Sequence, residues 1–460
     1  MWFRSLLELL GPFSHLPVNG CQEKQPRRRR HTARKLSPEP LEERCLLSYS
    51  IVDVGTLGGN YSDARGINTA GDVVGSAYLA DNYSHAYLYS GGSMSDLGTL
   101  GGFLDSYASG INDVGHVVGF AFDMDAHSHA FVYSDGTLMD LGTLGGIASQ
   151  AFAINNVDQI VGQALTSDGT WHAFLYNNGV MNDLWPQASS SIAWGINDSG
   201  QVVGSGYNPG DRHTHAFVYS DGAITDLGTL TDDGDSSAYG INAYGQIVGS
   251  ATVHGPSGPS HAFLYTDGAM IDLGTLGGAV STAYGINSYG QVVGTSEARG
   301  GYHAFLYSDG TMTDLNDELP VGSGWTLAYA WAINDAGQIA GWGTIAGETH
   351  GYLLTPDSSS APHPTGKPTT GFEVSLIQQH RLKISEQLPG LVPGATPWSS
   401  PTEARPAQQA DDLQAMKRGY SFKFNSIMQS AHARRQARDM VFAAARPDSP
   451  ANDLLGISWA

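Results

Sequence analysis

Between Tyr49 and Asp357 the 460-residue chain has no cysteine, no lysine and only three arginines, Arg65, Arg212 and Arg299. Without cysteine, that region cannot rest on a disulfide framework or a thiolate metal cluster. Cys21 and Cys45 both lie before it. Without cations it has little to offer nucleic acid, which draws most of its affinity from Lys and Arg neutralising phosphates. Long apolar runs are missing too, and none approaches the roughly 18 residues of a spanning helix, so no transmembrane segment is expected. Charged residues make up 15% of the chain, whereas glycine is abundant at 59. That balance suits many short strands joined by tight turns better than a helical bundle.

What charge there is lies segregated. The region Tyr49 to Asp357 holds 31 acids against its three arginines, a formal charge of −28. The first 48 residues are net +4 and the segment from Ser358 is net +3. The composition marks three parts: a basic leader (1–48), a central domain (49–357) and a Pro/Ser-rich linker with a weakly helical tail (358–460). Both outer parts are expected to be disordered.

The central domain repeats itself. A His-Ala-aromatic step begins at His85, His129, His172, His215, His261 and His303, with a variant at His350-Gly351-Tyr352. Ile-Asn recurs seven times, ending at Asn68, Asn112, Asn155, Asn197, Asn242, Asn287 and Asn334. Turn chemistry divides each repeat into four strands. Asn-x-x-Gly closes the first hairpin, a short β-branched run follows, then the His-Ala-aromatic strand, and Asp-Gly turns into the fourth. Four strands in about 43 residues is the size of a propeller blade.

The last repeat stops after its third strand at His350 to Thr355, and the array opens on an orphan, Tyr49 to Gly55, whose Asp53-Val54-Gly55-Thr56-Leu57-Gly58-Gly59 matches a fourth strand with its exit loop. A spare strand at one end and a missing one at the other predict an all-β, seven-bladed β-propeller of antiparallel blades, closed by the N-terminal strand and monomeric. An open array would instead leave edges needing caps.

These steps resemble the extracellular HAF-repeat family, named for His-Ala-Phe, over Tyr49 to about Asp357. The leader's Arg27 to Arg30, followed by Glu39-Pro40-Leu41-Glu42-Glu43-Arg44-Cys45-Leu46-Leu47-Ser48, resembles the EPLE-R-LLS leader of large bacterial surface proteins. The resemblances imply an exported or cell-surface repeat protein and supply no catalytic residues.

Features shared by every repeat are what any blade needs, so the seven His and seven Asn are expected to be structural. Each His is expected to bond a neighbouring backbone or hydroxyl group. Function is expected where repeats differ, on the face of the loops between second and third strands and between repeats. Two acidic clusters stand out there as calcium candidates, Asp123 with Asp125, and Asp232, Asp233 with Asp235, because calcium takes carboxylate and carbonyl oxygens. Solvated turn acids are the plainer reading of both. Trp171 and Trp325 are candidates for stacking on a glycan or protein partner. No nucleophilic elbow, zinc-binding helix motif or cysteine marks an enzyme. The expected function is therefore a non-enzymatic binding or adhesion module taking a protein or glycan partner. The alternatives are a structural surface component or a carbohydrate-active enzyme using carboxylates on different blades.

Overall fold

The computed structural model describes residues 48–255 and 258–357. The leader before Ser48 and the tail from Ser358 lie outside the described residues. Those residues form 28 strands and no helix.

The first six repeats each place four consecutive strands side by side in antiparallel order. In the second, these are Asp105–Ile111, Val117–Phe122, Ser128–Ser134 and Thr137–Asp140. Five such sheets stand alone. The first and last repeats join into one mixed, eight-stranded sheet through a single parallel bridge, Tyr61 to Thr349. The fourth strand of the last repeat is the orphan from the beginning of the domain. Tyr49–Asp53 runs antiparallel to Glu348–Pro356, in a register that sets Tyr49 opposite Pro356 and Asp53 opposite Tyr352.

The turns form as their residues dictate. Both central residues of the third-to-fourth-strand hairpin have positive φ, as at Asp221 (52°) and Gly222 (82°), which is the backbone of a type I′ turn and suits Asp-Gly. In the recurring Val-Val-Gly step the glycine is required by close approach. A Cβ on Gly119 would stand 1.9 Å from the Tyr107 carbonyl oxygen and 2.9 Å from the Phe131 ring. The aromatic of His-Ala-aromatic therefore occupies the space beside the glycine opposite it on the paired strand. Tyr87, Phe131, Phe174, Phe217, Phe263, Phe305 and Tyr352 are all fully buried.

The core sits between sheets rather than within one. Val74, Ala86 and Leu97 of the first repeat pack against Ala108, Val117 and Phe131 of the second, and each later pair of successive repeats has a corresponding cluster. One more joins the two ends of the array: Ala340 and Leu353 of the seventh repeat, with Val54, pack on Ala64, Val73 and Tyr87 of the first.

Candidate functional site

Seven copies of one hydrogen-bonded joint hold the frame. Each recurring His turns Nδ1 toward an Asp of its fourth strand, at 2.5–2.9 Å, in the pairs His85–Asp96, His129–Asp140, His172–Asp183, His215–Asp226, His261–Asp272 and His303–Asp314. For His350 the partner is Asp53, at 2.8 Å. The carboxylate makes Nδ1 the protonated nitrogen. The partner is thus a carboxylate, not the backbone or hydroxyl group expected from sequence. The same Asp accepts the N–H two residues on, as Asp226 does from Gly228 at 2.8 Å. In every joint but the sixth, a serine of the next repeat also takes part, as at the fourth: Ser236 Oγ accepts from Ala216 N–H and donates to the Gly228 carbonyl. All of these groups are spent on structure.

The seven asparagines form a second device on the face carrying the Asn-x-x-Gly turns. Asn242 Oδ1 accepts from Tyr244 and Gln246 N–H at 3.0 Å, while its Nδ2 donates to Gln246 Oε1 at 2.8 Å and to the Asn287 carbonyl at 3.0 Å. An amide supplies two N–H donors and an acceptor oxygen at one position, which a hydroxyl with its single donor does not. The donation passes from Asn68 to Asn112, Asn155, Asn197, Asn242, Asn287 and Asn334 in turn. It then returns from Asn334 Nδ2 to the Asn68 carbonyl at 2.9 Å.

Inside this circuit lies a cavity of about 220 Å³, lined by residues of all seven repeats. Isoleucines preceding the asparagines form its wall, and the residues following them line it too. At that following position the repeats differ: Thr69, Asp113, Asn156, Asp198, Ala243, Ser288 and Asp335. The carboxylates are oriented by N–H groups. Asp113 accepts from Thr69 N–H and from Asn156 Nδ2, Asp198 accepts from Asn156 N–H, and Asp335 accepts from Ser288 N–H. One residue further on, Val114, Val157, Tyr244 and Tyr289 are 58–66% exposed.

Three residues before each asparagine, the innermost strands carry Arg65, Ser109, Phe152, Trp194, Tyr239, Tyr284 and Trp331. From Phe152 to Trp331 successive members touch. Ring centroids are 4.4 Å apart for Phe152–Trp194, 5.9 Å for Trp194–Tyr239, 5.5 Å for Tyr239–Tyr284 and 4.2 Å for Tyr284–Trp331. The Arg65 guanidinium lies 5.2 Å from the Trp331 ring centroid, a cation–π contact, and its Nε is 2.9 Å from Asp63 Oδ2. Asp63 is fully buried and also accepts from Ser76 N–H and Oγ. Burial and then the Asp63 charge hold the Tyr61 phenol well above its ordinary range.

The residues favoured from sequence are differently placed. Asp123 and Asp125 share one loop, where Asp123 Oδ1 caps the N–H groups of Asp125 and His127. Asp235 accepts from Thr214 N–H, with Asp232 and Asp233 exposed beside it. Among the described residues no three His, Cys, Asp or Glu side chains form a group suited to a metal. Trp325 packs edge-on to Tyr352 at 6.1 Å, and Trp171 is half-buried at the start of Trp171–Asn177. Sequence reasoning missed the aromatic arc and the positions just after each asparagine. Aligning the repeats on Ile-Asn brings both out.

A family described as "Protein of unknown function (DUF3466)" matches residues 180–359. No curated protein matches the chain in sequence. Among solved structures, the chain is similar to a Mycobacterium tuberculosis puromycin-hydrolysing peptidase at 12% identity and TM-score 0.45, covering 71% of this chain and 53% of that one. It is also similar to the β-propeller domain of the trilobed protease from Pyrococcus furiosus, at 12% identity and TM-score 0.33, covering 57% and 98%. A third likeness is to the WD40 β-propeller domain of Doa1, at 11% identity and TM-score 0.34, covering 68% and 100%. The chain spans about half the length of the first solved structures it matches.

Proposed function

We propose that the seven sheets are the blades of a closed propeller, and that the protein is an exported, non-enzymatic binding module whose contact surface is the mouth ringed by the asparagine turns. The return of the hydrogen-bond circuit from Asn334 to Asn68 supports closure, as does the cluster joining first and seventh repeats. The EPLE-R-LLS resemblance supports export.

One observation carries the binding role. The recurring His Nδ1, Asp and Asn groups are engaged in the joints, while two positions at which the repeats differ present Asp113, Asp198 and Asp335 with exposed Val114, Val157, Tyr244 and Tyr289. Carboxylates already oriented by N–H donors, rimmed by apolar surface, fit a segment carrying both cations and aromatic or aliphatic side chains. The domain's formal charge of −28 draws such a segment from a distance and turns away acidic ones.

The test is titration of the full chain to saturation with synthetic peptides matched in apolar content but either Arg/Lys-rich or Glu-rich. Binding of the cationic peptide alone, weakened by D113N/D198N/D335N, is expected. Equal binding of both peptides, or no effect of the triple substitution, refutes the mouth as the surface.

A further inference from the structure

Ser48 and Asp357 hold one another where the described chain begins and ends: Asp357 N–H donates to the Ser48 carbonyl at 2.8 Å. The position of that exit is set by its neighbours. Thr355 Oγ1 accepts from Gln338 Nε2, and a Cβ on Gly337 would meet Pro356 Cγ at 3.2 Å. Gly337 and Gln338 belong to the turn that begins at Asn334, whose next residue, Asp335, lines the cavity. The chain therefore leaves the domain beside the mouth and on the same face.

Downstream of that exit the sequence changes sign. Lys417 to Arg446 holds seven basic residues, Lys417, Arg418, Lys423, Arg434, Arg435, Arg438 and Arg446, against the single acid Asp439. Tyr420, Phe422, Phe424, Ile427, Met440 and Phe442 lie among them. This is the mixture of cations and apolar side chains that the mouth fits. The 59 residues of 358–416 reach far enough, since an extended chain covers about 3.3 Å or more per residue. Attachment to the domain also raises the segment's local concentration over that of any free competitor.

We infer that Lys417 to Arg446 is the mouth's resident ligand, docked in cis on its own domain, so that an outside partner gains the mouth by displacing it. The inference rests on the mouth being the contact surface. Its chemistry is ion pairing between Lys or Arg and the rim carboxylates, with aromatic side chains against Val114, Val157, Tyr244 and Tyr289.

The experiment uses the full chain and a companion full chain with K417Q, K423Q, R434Q, R435Q and R438Q, substitutions that leave residues 48–357 intact. A synthetic peptide of residues 417–446 is titrated against both. The neutralised chain is expected to bind it at least about tenfold more tightly than the unaltered chain, as a tethered competitor requires. Equal affinity for both chains overturns the cis ligand while leaving the mouth intact as a surface. Failure of the peptide to bind either chain, even at low salt, overturns the mouth itself and the inference with it.

A second readout uses the absence of lysine from residues 49–357. Zero-length carbodiimide coupling of the unaltered chain is expected to join Lys417 or Lys423 to Asp113, Asp198 or Asp335 within one monomer. Coupling to Asp123 or Asp232 instead, or coupling only between two chains in a concentration-dependent way, overturns docking in cis at this mouth.

Discussion

His350 Nδ1 and Asp53 Oδ2 stand 2.8 Å apart although 297 residues separate them in the chain. The other six His–Asp pairs are each 11 residues apart, within a single hairpin. One joint thus does with the two ends of the domain what the others do locally. Asp53→Ala removes the carboxylate under His350 and under Gly55 N–H and is expected to cost about 1–2 kcal/mol. Hydrogen exchange separates the two kinds of joint: protection falls across Tyr49–Asp53 and Tyr352–Pro356 in D53A, and only within the first repeat in D96A. Unchanged protection at both termini in D53A would contradict the joint's role.

Asn242→Asp keeps the shape but replaces two donors by an oxygen facing Gln246 Oε1 and the Asn287 carbonyl. One buried and one part-buried acceptor lose their donor and face negative charge, so a loss of about 2–4 kcal/mol in urea unfolding is expected. Asn182→Asp, on an exposed fourth strand, is the control and is expected to be near neutral.

The His215–Asp226 pair gives stability a pH dependence. The hydrogen bond to Asp226 raises His215 above its ordinary value against partial burial. Burial pushes Asp226 upward, but the bonds from His215 and Gly228 N–H outweigh it and hold the carboxyl below its ordinary value. The raised His contributes stability that is complete below about pH 6.5 and lost as pH rises through its folded value. The lowered Asp contributes stability that is present above about pH 4 and lost as pH falls through its folded value. The difference in unfolding free energy between the unaltered protein and H215Q is therefore expected to be largest between about pH 4 and 6.5 and to shrink above it. A difference that grows from pH 6 to 9 would contradict this sign.

Arg65→Leu removes the guanidinium whose Nε lies 2.9 Å from the fully buried Asp63 carboxylate. Removing one side of a buried ion pair is costly, and a loss of about 3–5 kcal/mol is expected. Tryptophan emission should shift as well, because the guanidinium leaves the face of Trp331. Adding Asp63→Asn to R65L should restore much of the stability, since the buried charge is then gone.

Much of the frame was legible because local chemistry decides it. Asn-x-x-Gly and Asp-Gly set the turns, Val-Val-Gly with His-Ala-Phe set a strand pair, and the orphan Asp53-Val54-Gly55 declared its missing partner. The seven His–Asp pairs were less so. Their constant spacing of 11 was available in the sequence, but the Asp reads there as part of a connector, and only the folded hairpin brings it across from the His. The rim and the arc were hidden for a different reason. Thr69, Asp113, Asn156 and their equivalents share no residue type, so a search for what recurs passes over them, and only the converging strands gather them round one cavity. The acids Asp123 and Asp235 look like free ligands in a string of letters, yet they are already engaged with neighbouring N–H groups.

The pairing of Tyr49–Asp53 with Tyr352–Pro356 also sets an order of assembly. On a ribosome the first strand of the domain to emerge is the last to find its place, and it waits while some three hundred residues are delivered behind it. Six joints form as each hairpin appears, whereas the seventh must close a loop the length of the whole domain, which slows its formation although the entropy of closure grows only logarithmically with length. Until then the nascent protein carries an unmatched strand at its leading end and a gap for it at its trailing end. A second nascent copy offers the same pair, so crowding during synthesis favours exchanged strands between neighbours, and a slower or more dilute supply of chain favours the self-contained molecule.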